Sequence, residues 1–320
     1  MNRVLRYYHI PQIHQLGWTG KGVGVAVLDT GVSPHVDLKE KIACFYDTIG
    51  GKSEYYDDNG HGTHVMGIIG GSGEASNGMY RGIAPDCHLI SVKVLDKKGN
   101  GKIPKVVEGI RWIIQNKEKY NIRIVNISIG SGSQLKVSAD SDIIKSVEQL
   151  WDAGMVVLTA AGNNGPNSGS VTVPGISKKV ITVGTSDDMK STWIFGNQKT
   201  DYSGRGPTAE CVLKPEIVAL GNDIVSCKNV NTNWEVGRKY TKKSGTSMST
   251  PIVAGAVALL LQKEPSLTPI QVKIRFHDTA RNLGMSRHKQ GWGEIDMMRL
   301  LYYNETYPMY SDAGLSDKIQ

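Results

Sequence analysis

Residues 244–251 read SGTSMSTP and run directly into the apolar stretch 252–261, IVAGAVALLL. The small residues predict a tight turn, and the apolar stretch predicts a buried helix. A hydroxyl aimed outward where a helix begins, as Ser247 would be, lies beside amide dipoles that favour negative charge, which suits a nucleophilic serine. Serine and threonine are also the preferred helix caps, so this run taken alone is more typical of a simple cap.

Two further runs carry a carboxylate and an imidazole. Residues 25–31 (VAVLDTG) end an apolar strand on Asp29, and residues 58–65 (DNGHGTHV) place His61 at the glycine-flanked start of a predicted helix. Both side chains fall at the ends of elements, where active sites form. The candidate groups therefore occur in the chain order Asp, His, Ser.

Together, DTG at 29–31, HGTH at 61–64 and GTSMSTP at 245–251 resemble the three signatures of the subtilases, the subtilisin-like serine proteases. Each motif alone is weak, but the three in order are specific, and the order is that of subtilisin itself. The resemblance extends from about residue 10 to residue 301 and is closest in character to bacterial intracellular subtilisins. It implies an α/β fold with three layers, in which helices flank a mostly parallel central sheet.

The same resemblance implies a serine endopeptidase that works through an acyl-enzyme. Ser247 is the expected nucleophile, and His61 is the expected base that takes its proton and later delivers it to the leaving amine. Asp29 is expected to fix the tautomer of His61 and to stabilise the imidazolium.

Nearby residues compete for two of these roles. Asp57 and Asp58 are alternative carboxylates, but their polar loop favours solvated turn residues. His64 lies three residues from His61 on the same predicted helix, and spacing cannot separate the two imidazoles. Only the family pattern selects His61, which leaves His64 as a packed histidine behind the site.

Residues 156–166 (VVLTAAGNNGP) read as a buried strand that ends in a polar turn. In subtilases the first asparagine after Ala-Ala-Gly donates its amide to the tetrahedral oxyanion, which assigns that role to Asn163. Asn164 is more simply explained by turn geometry. The backbone N–H of Ser247 is the expected second donor.

In the family, two segments hold an extended peptide between them, and here they correspond to residues 95–103 and 126–130. A third segment, 172–175 (TVPG), closes the pocket for the side chain before the cut. Thr172 stands where many subtilisins have glycine at the pocket floor, which predicts a shallow pocket. The predicted binding residues are Gly99, Asn100, Gly101, Ser128, Ile129, Gly130 and Thr172.

The rest of the chain alternates between strand and helix patterns, as in a doubly wound α/β domain. Apolar runs predict buried strands of a parallel sheet at 23–28, 89–95, 122–129, 155–160 and 180–184. Helical spacing occurs at 61–69, 105–119 and 140–152. Ligand-binding loops of such a sheet gather at the carboxyl ends of its strands, where Asp29, Ser128 and Asn163 fall. We expect an N-terminal extension at 1–9, a peptidase domain at 10–302 and a polar tail at 303–320.

Composition bears on the possible partners. Thirty-seven basic and 30 acidic residues give a net charge of +7, but the lysine pairs at 97–98, 178–179 and 242–243 are scattered, so nucleic-acid binding is not expected. Residues 20–24 (GKGVG) precede their strand, whereas a dinucleotide-binding loop follows one. The expected partners are protein or peptide substrates, without a membrane, and a dimer remains open.

The four cysteines are widely separated and lack metal-ligand spacing, so reduced packing thiols are expected. Residues 1–15 lack the apolar core of a secretory signal, no stretch is long and apolar enough to span a membrane, and a large prodomain has no room before the first strand. We therefore expect a cytoplasmic protein.

No cofactor is expected for the chemistry. Structural calcium is possible because Asp37 could match one family ligand, but residues 70–80 lack an obvious set of carboxylates, so the metal ligands stay unassigned.

A second function from another class is a catalytically silent subtilase that serves as a regulatory or binding partner, because a fold alone does not establish activity. Retention of all four residues, Asp29, His61, Asn163 and Ser247, argues against it.

Overall fold

The computed structural model describes residues 1–130, 141–194, 196–229 and 239–303. Residue 140 of one predicted helix and residues 304–320 of the predicted tail lie outside these ranges.

The described residues contain both short and long helices. They are α1 Asn2–Tyr7, α2 Ile10–Gln15, α3 His61–Gly70, α4 Ile103–Asn116, α5 Asp142–Asp152, α6 Thr246–Lys263, α7 Pro269–Thr279, α8 Arg287–Gln290 and α9 Met297–Leu301, with a 3₁₀ turn at Glu74–Ser76. The strands are β1 Gly24–Asp29, β2 Ile42–Asp47, β3 His88–Lys93, β4 Ile122–Ile127, β5 Val156–Ala160, β6 Ile181–Thr185, β7 Thr192–Ile194, β8 Asn197–Lys199, β9 Ile217–Ala219, β10 Ile224–Cys227 and β11 Tyr240–Lys243.

Seven strands form the central sheet in the order β2-β3-β1-β4-β5-β6-β9, and every neighbouring pair is parallel. The pairs β7–β8 and β10–β11 are separate antiparallel hairpins. The predicted parallel sheet is confirmed. Because parallel strands end at one edge, the residues that follow β1, β4 and β5 meet there.

Helices cover both faces of the sheet, and alternate residues of β1 show why. Val25 and Val27 join the core that contains α3 and α6, whereas Ala26 and Leu28 join the core that contains α4 and α5. Successive strand residues point to opposite faces, so a strand that is apolar throughout can supply both cores. The predicted three-layer α/β arrangement is confirmed.

Helix α6 is the central buried helix. Every residue from Met248 to Leu261 is buried, as expected for a helix that is apolar on all sides. None of the helices in the described ranges is both long enough and apolar enough to cross a lipid bilayer.

Two strands of the central sheet, β2 and β9, were not predicted from the sequence. The edge strand β2 is mostly only half-buried, so it lacks the continuous apolar pattern of a central strand, and β9 has only three residues. The N-terminal residues also contribute more than an extension: Val4 and Leu5 of α1 are buried in the main core, and the backbone N–H of Leu220 donates to the hydroxyl of Tyr8 at 2.9 Å. The domain limits at 9 and 302 stay predictions.

Candidate active site

Asp29 and His61 meet at the carboxyl edge of the sheet. Asp29 is the last residue of β1 and His61 is the first of α3. The His61 Nδ1 atom lies 2.8 and 2.9 Å from the two carboxylate oxygens of Asp29. The carboxylate is 1% exposed and the imidazole 14%, so the buried partner holds an imidazole whose other edge faces the cleft. Because a carboxylate accepts hydrogen bonds, Nδ1 is the nitrogen that carries the hydrogen, and in the neutral imidazole the lone pair lies on Nε2.

The turn after β1 lies so close to the start of α3 that the residue after His61 must be glycine. A Cβ atom on Gly62 would lie 2.2 Å from the carbonyl oxygen of Gly31, which is closer than any side chain tolerates. The N–H of Gly62 instead donates to the hydroxyl of Thr30 at 2.9 Å. The turn after β1 and the start of α3 therefore touch directly, and this contact sets the spacing between Asp29 and His61.

Ser247 is the second residue of α6. Its hydroxyl donates its hydrogen to the carbonyl oxygen of Ser128 at 2.9 Å, so in this conformation that hydrogen is not donated to His61. Gly245, just before the helix, has φ of 139°, a conformation that side chains disfavour. The glycine thus permits the sharp entry into α6 that brings Ser247 to the cleft.

Asn163 follows β5 and lies against the start of α6. Its side-chain oxygen accepts the backbone N–H of Thr246 at 3.0 Å and the Thr246 hydroxyl at 3.2 Å. Because both contacts engage the oxygen, the NH₂ group of the amide points away from Thr246. No described residue accepts a hydrogen bond from that NH₂ group, and it remains a donor beside Ser247.

These residues share one cleft of about 820 Å³. Its lining includes every substrate-binding residue predicted from the sequence as well as His61, Asn163 and Ser247, namely Gly99, Asn100, Gly101, Ser128, Ile129, Gly130 and Thr172. The structure therefore brings all the predicted site residues together, with Asp29 directly behind His61.

Thr172 fills the space between two walls of this cleft. A Cβ atom on Gly130 would lie 2.5 Å from the Thr172 hydroxyl, and one on Gly162 would lie 2.5 Å from its methyl carbon. Thr172 itself is 8% exposed, and its backbone N–H donates to Ala161 at 2.9 Å. Its side chain therefore occupies the floor between Gly130 and Gly162.

Comparison with known proteins agrees with this arrangement. The sequence profile of the subtilase family matches residues 20–293. The chain belongs to the subtilase family. The chain is 45% identical over 267 residues to serine protease AprX of Bacillus subtilis (strain 168), a match that covers 80% of this chain and 60% of that protein. The chain thus spans less than two thirds of that relative's length.

Other relatives extend the comparison. Subtilisin Savinase of Lederbergia lenta is 34% identical over 274 residues, covering 86% of this chain and 89% of that protein. The crystal structure of a cold adapted subtilisin-like serine proteinase superposes with a TM-score of 0.67 at 31% identity, covering 85% of this chain and 87% of that one. The fold of this subtilase is therefore also that of a solved subtilisin-like protein.

The competing histidine of this subtilase lies behind the cleft. His64 is fully buried, and its Nε2 atom lies 3.0 and 3.1 Å from the carbonyl oxygens of Ile224 and Thr241. Burial, together with the nearby charges of Lys243 and His61, holds the pKa of His64 well below its usual value. His64 is therefore a neutral packing residue that has no access to a substrate.

For one of the two loop carboxylates of the subtilase, the prediction of a solvated turn residue is wrong. Asp57 is only 5% exposed, so it is not a solvated turn residue. Its oxygens accept hydrogen bonds from the backbone and hydroxyl of Thr63, the hydroxyl of Thr30, and the N–H groups of Gly60 and Asn59. The sequence reasoning missed this role because a loop gives no burial pattern; the one available signal was the cluster of hydroxyl and glycine donors around it.

Asp58 is exposed but pairs with a buried cation. The Lys93 ammonium lies 2.8 Å from the carboxylate of Asp58, and it also donates to the carbonyl oxygens of Thr30 at 2.6 Å and Leu95 at 2.9 Å. Lys93 therefore links the turn after β1 to the segment that leads to the cleft residues 99–101.

The surroundings of Asp37 do not fit calcium. The side-chain ligand atoms of His35, Asp37 and Cys227 lie within 4.8 Å of one another, and all three residues are buried. The Asp37 oxygens already accept from the N–H of Ala75 at 2.9 Å and the hydroxyl of Tyr240 at 2.7 Å. Calcium needs six or more oxygen ligands, whereas the side chains grouped with Asp37, those of His35 and Cys227, offer nitrogen and sulfur.

Proposed function

We propose that this subtilase is a serine endopeptidase that hydrolyses peptide bonds through an acyl-enzyme. The observation that carries the proposal is the pairing of His61 Nδ1 with the buried carboxylate of Asp29 in the same cleft as Ser247. A buried carboxylate on one imidazole nitrogen makes the other nitrogen a competent base for a serine hydroxyl.

The proposed reaction begins with a rotation of one side chain. The Ser247 hydroxyl must leave the carbonyl oxygen of Ser128 and turn towards His61, whose Nε2 takes the proton as Oγ attacks the substrate carbonyl. The resulting imidazolium is stabilised by Asp29 and then delivers its proton to the leaving amine. Water then attacks the carbonyl of the acyl-enzyme, with His61 again taking and returning the proton. This step releases the carboxylic acid product and restores the Ser247 hydroxyl.

The tetrahedral oxyanion would be held by two donors. One is the NH₂ group of Asn163, which the Thr246 contacts leave free. The other is the backbone N–H of Ser247, which lies in the first turn of α6, where amides have no acceptor within the helix. These donors act where charge develops, which is usually the largest contribution to such catalysis.

The substrate would bind as an extended strand between residues 99–101 and residues 128–130, as the family resemblance implies. The Thr172 side chain between Gly130 and Gly162 supports a shallow pocket for the side chain before the cut. We therefore propose a preference for small or medium residues at that point over large aromatic ones.

Subtilases need no cofactor for this chemistry. We place no calcium ion at Asp37; structural calcium elsewhere in the protein and a cytoplasmic location stay predictions.

The experiment that tests the function is labelling with a serine-directed fluorophosphonate probe, read by intact mass. We expect one probe per molecule on the purified protein and none on Ser247→Ala, with Ser249→Ala as a matched control that keeps the label. Absence of label on folded protein would overturn the proposal and favour the catalytically silent subtilase.

A further inference from the structure

The described charged side chains that line the cleft carry positive charge. Three lysines line it, Lys98, Lys199 and Lys243, and no aspartate or glutamate occurs among the described residues of its lining. Asp29 lies behind His61 and is 1% exposed, so it does not offset this charge at the surface of the cleft. The described charged side chains that a peptide would meet on this lining are therefore those of the lysines.

Lys243 lies at the end of β11, four residues before Ser247. It is half-buried, and none of the described residues forms an ion pair with it. The neighbouring Lys242, by contrast, is exposed and pairs with Asp223 at 3.2 Å. Burial lowers the pKa of Lys243, although the carboxylates of Asp57 and Asp29 act in the opposite direction. The ammonium is thus close to the His61 pair and gains from an additional anion.

Lys199 reaches the same part of the cleft from the β7–β8 hairpin. Its ammonium donates to the backbone carbonyl oxygen of Asn163 at 2.9 Å, which leaves two further N–H donors. In the hairpin Lys199 pairs with Thr192, whose hydroxyl lies 2.6 Å from that of Ser244. Ser244 directly follows Lys243, so the two lysines come from adjacent and connected elements.

The two lysines belong to neither segment that would hold the residues before the cut. Those segments are 99–101 and 128–130, whereas Lys199 and Lys243 approach from β8 and β11, beside Asn163 and the His61 pair. His61 must reach the leaving amine, so the chain that follows the cut passes the imidazole. Lys243, which lies near the His61 pair, and Lys199, which lines the same cleft on the connected hairpin, are therefore in position to contact that chain.

We infer that Lys199 and Lys243 select peptides with an acidic side chain at the first or second residue after the cut. The inference rests on the proposed function, and it names a substrate class for it: proteins with an aspartate or glutamate at the first or second residue after the cut. A carboxylate there would pair with two partly desolvated ammonium groups, which is stronger than an exposed ion pair.

The test compares matched peptides that differ only at the first and second residues after the cut, carrying Asp or Glu, Asn or Gln, or Lys. We expect kcat/KM to be roughly three- to tenfold higher for the acidic peptide than for its amide counterpart, as for a partly desolvated ion pair. In Lys199→Gln and Lys243→Gln the ratio should fall, and in the double variant it should approach one. Lys243→Arg should keep most of the ratio.

Lys242→Gln is the control, because it removes the same charge from the neighbouring residue and should leave the ratio unchanged. The ratio compares two peptides on the same variant. Any change that Lys199→Gln causes at the backbone of Asn163 therefore affects both peptides and cancels in the ratio. High salt should reduce the ratio, since it screens partly exposed charges.

The outcomes separate this inference from the proposed function. A protein that labels with fluorophosphonate but cuts acidic and amide peptides equally would overturn the inference alone. An acidic preference that persists in the double variant would also overturn it. A protein that neither labels nor cuts would overturn the proposed function.

Discussion

The Thr63 backbone N–H and hydroxyl both donate to one carboxylate oxygen of Asp57, at 2.9 and 2.6 Å. The other oxygen accepts the hydroxyl of Thr30 at 2.9 Å. Thr30 follows Asp29 and Thr63 lies two residues after His61, so this one buried carboxylate ties together the two segments that carry the expected base and its partner. Asp57 is thus a positioning residue for both.

Asp57→Asn should destabilise the protein and slow catalysis. The new amide replaces one acceptor oxygen with a donor, which leaves at least one buried donor unsatisfied. We expect the free energy of unfolding to fall by about 2–4 kcal/mol, the cost of one or two such groups, and kcat to fall with it. Urea denaturation and kcat measure the two effects.

Asp86→Asn is the matched control, because Asp86 is exposed and lies 3.5 Å from Lys41 in a surface pair. Its unfolding free energy should change little. Equal losses in the two variants would contradict the positioning role of Asp57.

The contribution of Asp57 should depend on pH in a defined direction. Burial raises the pKa of this carboxyl, but the hydrogen bonds from Thr63, Gly60 and Thr30 outweigh it, so the net pKa is lowered from 3.8. A lowered folded-state pKa stabilises the fold at pH values above the unfolded pKa, and this stability is lost as the pH falls through the folded pKa. The difference in unfolding free energy between wild type and Asp57→Asn should therefore be constant above about pH 5 and shrink below pH 3.8. A difference that grew on acidification would show that the neutral acid, not the carboxylate, is the stabilising form.

Asn163→Ala should reduce kcat with little change in KM, because the amide would act on the oxyanion and not on the bound substrate. The expected loss is about 100- to 1000-fold, a size known from the oxyanion asparagine of a subtilisin and carried over here. Steady-state kinetics on one peptide give both constants. Asn164→Ala, at the exposed neighbour, should keep kcat within about twofold, as surface substitutions usually do. A rise in KM alone for Asn163→Ala would point to substrate binding instead.

The fold and most of the site could be predicted from the sequence, since the motifs fall at the ends of strongly apolar elements. Asp29, Ser128 and Asn163 each follow or end a buried strand, and parallel topology then brings them to one edge. The burial of Asp57 could not be predicted in this way, because it depends on how a polar loop closes over distant residues. Lys199 was missed for a related reason: a short hairpin carries no signal of which neighbour its side chains reach.

Thr172→Gly should open the pocket for the side chain before the cut. Removing the side chain between Gly130 and Gly162 frees the space that its hydroxyl and methyl groups fill. We expect the kcat/KM ratio of a phenylalanine peptide to an alanine peptide to rise about tenfold or more, as hydrophobic pockets discriminate by about that factor per methylene-sized group. Thr172→Val keeps the volume and loses only the hydroxyl, so its ratio should stay close to that of wild type. A wild-type protein that already strongly favours phenylalanine, or a glycine variant with an unchanged ratio, would show that Thr172 does not form the pocket floor.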